Sequence, residues 1–179
     1  MRFKLFYFTE DLKNYKLYVD MDSVIVSWVD GFDKLSPGKT MDEWEAEGKD
    51  VEAWKLIHDA GSDWWANLPW TKDGKELWDF LKQFNPIILS SPGTQNIDIV
   101  KKGKIDWIKR ELGNDVEYII DRNKEKYADN KSILVDDMKG NIDRWEKAGG
   151  IGLLHKSTND TIKELDKYER NNTNNRVDR

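Results

Sequence analysis

Cysteine is absent from all 179 residues, and histidine occurs only twice. The first absence excludes a disulfide framework, a thiolate metal site and a cysteine nucleophile together. His58 and His155 have no partner at metal-ligand spacing, so both read as structural or exposed side chains. Long apolar runs are also missing, and nothing approaches the ~20 residues a membrane-spanning helix needs. The opening run Met1-Arg2-Phe3-Lys4-Leu5-Phe6-Tyr7-Phe8 meets Thr9-Glu10-Asp11 before any small-residue cleavage site, so it is not read as a signal peptide. No membrane association is expected, and a cytoplasmic setting fits. A surplus of positive charge is lacking too. Lys and Arg number 29 against 34 Asp and Glu, and the resulting net charge of −5 argues against an extended nucleic-acid face. Small anionic substrates stay open, because a metal and a few local lysines can hold one phosphate despite an acidic total.

The length suits one domain with room for a small inserted subdomain. Leu17-Tyr18-Val19, Pro86-Ile87-Ile88-Leu89, Val116 to Ile120 and Ile133-Leu134-Val135 each read as a buried strand, and Ile151 to Leu154 is a fifth candidate. Between them, Leu77, Phe80, Leu81 and Phe84 fall at helical spacing, as do Ile105, Ile108 and Leu112, and Ile142 with Trp145. Strands alternating with helices predict an α/β fold: a Rossmann-like, three-layer α/β/α core around a parallel sheet, with ligands beyond the carboxyl ends of the strands.

Residues 31–70 interrupt this alternation. They hold helical stretches around Met41 to Glu47 and Val51 to His58, then Trp64, Trp65 and Trp70, with no convincing strand. This segment is expected to be a small helical cap inserted into a core made of residues 16–30 and 71–168. Residues 1–15 are expected to form an N-terminal arm or edge strand. A last helix begins near Thr158 with Ser157 or Thr158 as its cap, and residues 169–179, polar and rich in asparagine, form a disordered tail.

Three predicted strands run into polar groups: Asp20-Met21-Asp22, Ser90-Ser91 and Asp136-Asp137. A parallel sheet brings these ends to one edge. Asp20, Asp22, Asp136 and Asp137 would repel one another strongly there, an arrangement that a divalent cation with oxygen ligands stabilises, and Mg2+ fits best. If the backbone turns after Asp20, one of the first two aspartates can be a nucleophile toward phosphorus and the other its acid and base. Ser90 and Ser91 offer a hydroxyl and backbone N–H groups to phosphate oxygens, and Pro92-Gly93 permits a sharp turn after them. A fixed cation is expected opposite, with Lys124 the first candidate and Lys126 the second.

This order of motifs resembles that of haloacid dehalogenase superfamily phosphatases, and it covers residues 16 to 154. Tyr18-Val19-Asp20-Met21-Asp22-Ser23-Val24, Leu89-Ser90-Ser91-Pro92 and Leu134-Val135-Asp136-Asp137 most resemble the 5'(3')-deoxyribonucleotidases. The resemblance implies Asp20 as nucleophile, Asp22 as proton donor, and Mg2+ held by Asp20, the backbone carbonyl of Asp22, and Asp137. It also implies aromatic residues around a base, for which Trp28, Trp64 and Trp65 are the counterparts. Ser23 stands where that family usually has glycine, which restricts the turn, and Ser90 replaces threonine while keeping the hydroxyl.

An isolated Asp-x-Asp is usually a capped turn, and tryptophans at helical spacing are usually core, which is the reading for Trp54 and Trp78. The functional expectation is a Mg2+-dependent phosphatase of small phosphate esters, nucleoside monophosphates foremost. Its competitors are a phosphatase of sugar phosphates or polynucleotide ends, and a binding protein that keeps the fold without turnover. The sequence assigns no oligomeric state.

Overall fold

The computed structural model describes residues 12–174, with side chains described to residue 166. The expectations for residues 1–11 and 175–179 lie outside the described residues. Leu12–Asn14 form a short 3-10 turn rather than an edge strand, and Leu12 packs into the core.

Five strands, β1 (Lys16–Val19), β2 (Ile87–Ser90), β3 (Tyr118–Ile120), β4 (Ser132–Asp136) and β5 (Ile151–Leu154), form one parallel sheet in the order β3-β2-β1-β4-β5. Successive strand residues point to opposite faces, so the apolar runs feed two layers. Leu17, Val19, Ile88, Ile133 and Val135 join one core, which includes Leu77, Trp107 and Ile108. Tyr18, Leu89 and Leu134 join the other, with Ile142 and Trp145. This double-sided burial is the expected three-layer α/β/α architecture. Chain order reverses at β1, which places the crevice of an open α/β sheet beyond the ends of β1, β2 and β4.

Helices α4 (Gly74–Leu81), α5 (Ile97–Glu111) and α6 (Lys139–Lys147) cover the sheet, and α7 (Thr158–Asn174) closes the chain. Ser157 caps α7, its Oγ accepting from the Asp160 N–H at 3.2 Å. The helix runs on through Asn174, so residues 169–174 continue it instead of starting the expected tail.

The inserted helices are α1 (Trp28–Leu35), α2 (Met41–Ala46) and α3 (Asp50–Ala66). Ser27 caps α1, with its Oγ accepting from Asp30 N–H, so the insertion's first helix begins ahead of the expected boundary at residue 31. Thr40 and Glu43 form a reciprocal capping box that starts α2. Phe32, Met41, Ala53 and Ile57 form a separate small core for this layer. Within α3 the helix breaks at Gly61, whose φ of 69° and ψ of −162° are accessible to glycine almost alone. Beyond the break α3 lies hard against α5. A Cβ on Gly103 would collide with the Ser62 carbonyl and the Trp65 side chain, so only glycine permits the approach.

Candidate active site

The strand ends converge as their register dictates. Val19 pairs with Val135, and the Asp20 N–H donates to the Val135 carbonyl at 2.9 Å, which sets Asp20 beside Asp136. After Asp20 the chain folds tightly on itself. The Met21 carbonyl accepts from the N–H groups of Val24, Ile25 and Val26 at 3.2, 2.9 and 2.8 Å. Ser23 takes the left-handed conformation, with φ of 59°. This is the position where glycine was the expected residue, and the backbone there is strained for any side chain.

Lys124 begins the 3-10 turn Lys124–Tyr127 that follows β3. It is 2% exposed, and its Nζ lies 2.8 Å from Asp20 Oδ1 and 2.5 Å from Asp136 Oδ2. Lys124 thus forms ion pairs with two buried carboxylates at once. Burial opposes the Lys124 charge, but Asp20 and Asp136 together outweigh it and hold the ammonium pKa above its ordinary value. Lys126, the second candidate, points to the surface and pairs with Asp121 at 3.2 Å. Asp121 also accepts from the Asn123 N–H and the Tyr127 hydroxyl, so it braces the turn that aims Lys124 inward.

Asp136 is fully buried and takes up its oxygens on protein donors. It accepts from Lys124 Nζ, from the Met138 N–H at 2.9 Å, and from Asn141 Nδ2 at 2.9 Å on each oxygen. Arg144 donates to Asn141 Oδ1 at 2.5 Å, which turns the Asn141 amide nitrogen toward Asp136. Burial and the neighbouring Asp20 still push the Asp136 pKa up. Asp137 beside it is pushed up to about 6 by burial first, and then by the charges of Asp20 and Asp136. Asp20, Asp136 and Asp137 each offer an oxygen within 4.8 Å of the others, a cluster able to hold a metal ion. The Asp22 carboxylate is not part of it.

Asp22 instead meets a residue that the sequence did not suggest. Lys104 of α5 is 1% exposed, and its Nζ donates to Asp22 Oδ2 at 2.5 Å, Ser90 Oγ at 2.9 Å and the Ser91 carbonyl at 2.8 Å. Those are all three hydrogens of an ammonium. The ring of Trp65 lies 5.5 Å from the same nitrogen. Asp22 Oδ1 is buried without a partner among the described residues. In the sequence Lys104 sits in Lys101-Lys102-Gly103-Lys104, which looks like a solvated face. The overlooked signal is its spacing, because Val100, Lys104, Trp107 and Ile108 form the buried stripe of α5.

Asp22, Lys104 and Ser91 line the inner part of a cavity of about 450 Å³, and Asp20 lies deeper, 6% exposed. The rest of the lining comes from Trp54, His58 and Trp65 of α3, Val100 of α5 and the loop Pro92 to Gln95. Gly93 bends that loop at φ of 71°. Of the three tryptophans expected around a ligand, only Trp65 lines this cavity. Trp28 stands behind, stacked on Trp54 with ring centroids 6.3 Å apart. Trp64 is held away from it, its Nε1 donating to the Gly31 carbonyl at 3.2 Å while its ring packs into the core. Trp54 was expected to be core, yet it is 39% exposed and forms a wall. His58, expected to be structural or exposed, is half-buried in the same wall, whereas His155 is buried and bonded to Thr161 at 2.8 Å. Trp78 does pack in the core.

No protein-family model matches the chain, and no curated protein matches its sequence. Solved structures do match in fold. A Had-superfamily hydrolase from Ehrlichia chaffeensis aligns over 86% of this chain and 96% of its own, at a TM-score of 0.51 and 13% identity. A hydrolase from Streptococcus pneumoniae TIGR4 aligns over 86% and 99%, at a TM-score of 0.50 and 12% identity. A looser match, a had family enzyme from Bacteroides thetaiotaomicron solved with magnesium and inorganic phosphate, covers 79% of this chain and 94% of its own at a TM-score of 0.42 and 11% identity. The chain has the fold of the haloacid dehalogenase superfamily hydrolases. Among the described residues no helix is long and apolar enough to cross a membrane.

Proposed function

We propose that the protein is a Mg2+-dependent phosphatase that hydrolyses a phosphate monoester through an aspartyl phosphate on Asp20, and that its substrates are nucleoside monophosphates, as in the 5'(3')-deoxyribonucleotidases. The observation that carries this reading is the meeting of Asp20 with Lys124 and the Asp136-Asp137 pair, next to Asp22 and Lys104 at the foot of a cavity.

The donor set fits a divalent cation. Ionised, Asp20, Asp22, Asp136 and Asp137 outnumber Lys104 and Lys124 by two charges, the charge of one such ion. The pKa of Asp137 is raised to about 6 by burial first, and the charges of Asp20 and Asp136 add to it. Oxygen donors alone favour a hard cation such as Mg2+. Asp20 and Asp137 would hold it, together with the backbone carbonyl of Asp22, while Asp136, committed to Lys124 and Asn141, sets the electrostatics. When bound, the ion neutralises charge on the phosphoryl oxygens.

A carboxylate oxygen of Asp20 attacks phosphorus, and the bond to the leaving oxygen breaks as Asp22 gives that oxygen a proton. Water then attacks the aspartyl phosphate, Asp22 takes the water's proton, and the bond from phosphorus to Asp20 breaks to release inorganic phosphate. Lys104 has no spare hydrogen, so an incoming phosphate must displace one of its present partners. Exchanging Asp22 for a phosphate oxygen frees the Asp22 carboxyl to carry the proton. Ser90, whose Oγ accepts from Lys104, keeps its own hydroxyl hydrogen for phosphate.

The wall of Trp54 and Trp65 supports a flat leaving group, because aromatic faces stack on bases. Apart from Lys104 the lining holds no lysine or arginine, which suits a leaving group without a further phosphate. The test is phosphate release from p-nitrophenyl phosphate, dUMP, dTMP, ribonucleotides, sugar phosphates and a 3'-phosphorylated oligonucleotide, with Mg2+ and with EDTA. The expected result is metal-dependent turnover that is best on deoxynucleotides. Activity on none of them would refute the phosphatase, and a preference for sugar phosphates would refute the nucleotidase.

A further inference from the structure

Polar side chains at the two ends of the cavity differ in what they touch. The inner ones are committed to one another, with Lys104 bonded to Asp22, Ser90 and the Ser91 carbonyl. The Ser91 hydroxyl is committed too, accepting from the Gly93 N–H at 3.1 Å. The outer ones, His58, Thr94 and Gln95, line the same space with no hydrogen-bond partner among the described residues. The His58 ring lies beside Trp54, with ring centroids 6.4 Å apart. A half-buried imidazole beside a tryptophan, with an exposed and uncommitted carboxamide in the same cavity lining, offers donors and acceptors to a ligand edge while the indole covers its face.

We infer that His58 and Gln95 read the hydrogen-bonding edge of the substrate's planar leaving group, and so act as specificity-determining residues of the cavity they both line. This rests on the nucleotidase reading and adds to it the residues that distinguish a nucleobase from a bare sugar. His58 is carried by α3 and Gln95 by the loop after β2, so one ligand touching both bridges the inserted helices and the core. Neutral imidazole has one donor and one acceptor, and a carboxamide has both, matching the alternating groups along a base edge.

The experiment compares kcat/KM for dUMP with that for deoxyribose 5-phosphate, which has the same sugar and phosphate but no base. It is run on the full chain with Mg2+, in the wild type and in His58→Ala, His58→Gln and Gln95→Ala. The wild type is expected to prefer dUMP. His58→Ala and Gln95→Ala each reduce that preference by about three- to tenfold, the worth of a neutral hydrogen bond. His58→Gln, which keeps a donor and an acceptor, recovers a large part of it. If the wild type prefers dUMP and both alanine variants retain the full preference, or lose activity on the two substrates in equal proportion, the inference is overturned while the nucleotidase stands. If the wild type shows no preference for dUMP, the nucleotidase reading fails and the inference falls with it.

Discussion

At the foot of the cavity Asp22 and Lys104, and behind them Asp20, Lys124 and Asp136, are already paired with one another, on strand ends, a buried turn and the buried stripe of α5. At its mouth Trp54, His58 and Gln95 stand on an inserted helix and a surface loop, and no protein group pairs with the polar ones. Charges that must meet phosphorus need fixed positions and low dielectric, so the fold invests its most rigid elements there. A surface that selects a leaving group needs faces and edges that stay open until the ligand arrives. Substitutions at the foot should therefore change turnover or stability, and those at the mouth should change preference.

The largest expected effect is on the nucleophile. Asp20→Asn should cost at least about three orders of magnitude in kcat without lowering the melting temperature of the metal-free protein, because it removes a charge from a crowded cluster. Retained turnover would refute the assignment. Next comes Lys124, whose removal leaves Asp20 and Asp136 buried without their shared cation. Lys124→Ala should destabilise by about 3 kcal/mol or more, measured by denaturant unfolding. Lys126→Ala, on the surface, should change stability by less than about 1 kcal/mol and leave kcat intact.

At the mouth, Trp54→Ala should raise KM for a nucleotide about tenfold by loss of stacking and affect p-nitrophenyl phosphate less. An equal effect on the two would remove the distinction between foot and mouth. Asp137 supplies a pH test. Its pKa is raised to about 6, so between about pH 4 and about pH 6 the folded state holds a proton that the unfolded state has lost. Its contribution to metal-free stability is therefore present below that window and lost as pH rises through it. A cation competes with the same proton, so the rise in melting temperature produced by Mg2+ should be larger at about pH 7 than at about pH 5. The smallest effect concerns Ser23. Its φ of 59° makes Ser23→Gly stabilising by about 0.5–1 kcal/mol.

What could be read from the sequence divides along another line, strand ends against helices. Asp20, Ser90 and Asp136 each close a short apolar run, and a residue at the end of a buried parallel strand has its position set by the sheet. Lys104 and Trp54 sit within helices, where position depends on what packs alongside. Lys104 becomes buried because Gly103 lets α5 approach α3. On α3, Ala53 and Ile57 turn inward while their neighbours Trp54 and His58 face the cavity, a distinction of one residue that apolar spacing alone does not make. The break at Gly61, which resets the helix before Trp64 and Trp65, is likewise a tertiary feature.

Acid-quenching the enzyme during turnover and mapping its phosphorylation by mass spectrometry bears most directly on the foot of the cavity. One phosphoryl group is expected on the peptide that carries Asp20, with none on that peptide in Asp20→Asn. A phosphoryl group on a different residue, with Asp20 unmodified, would contradict the account.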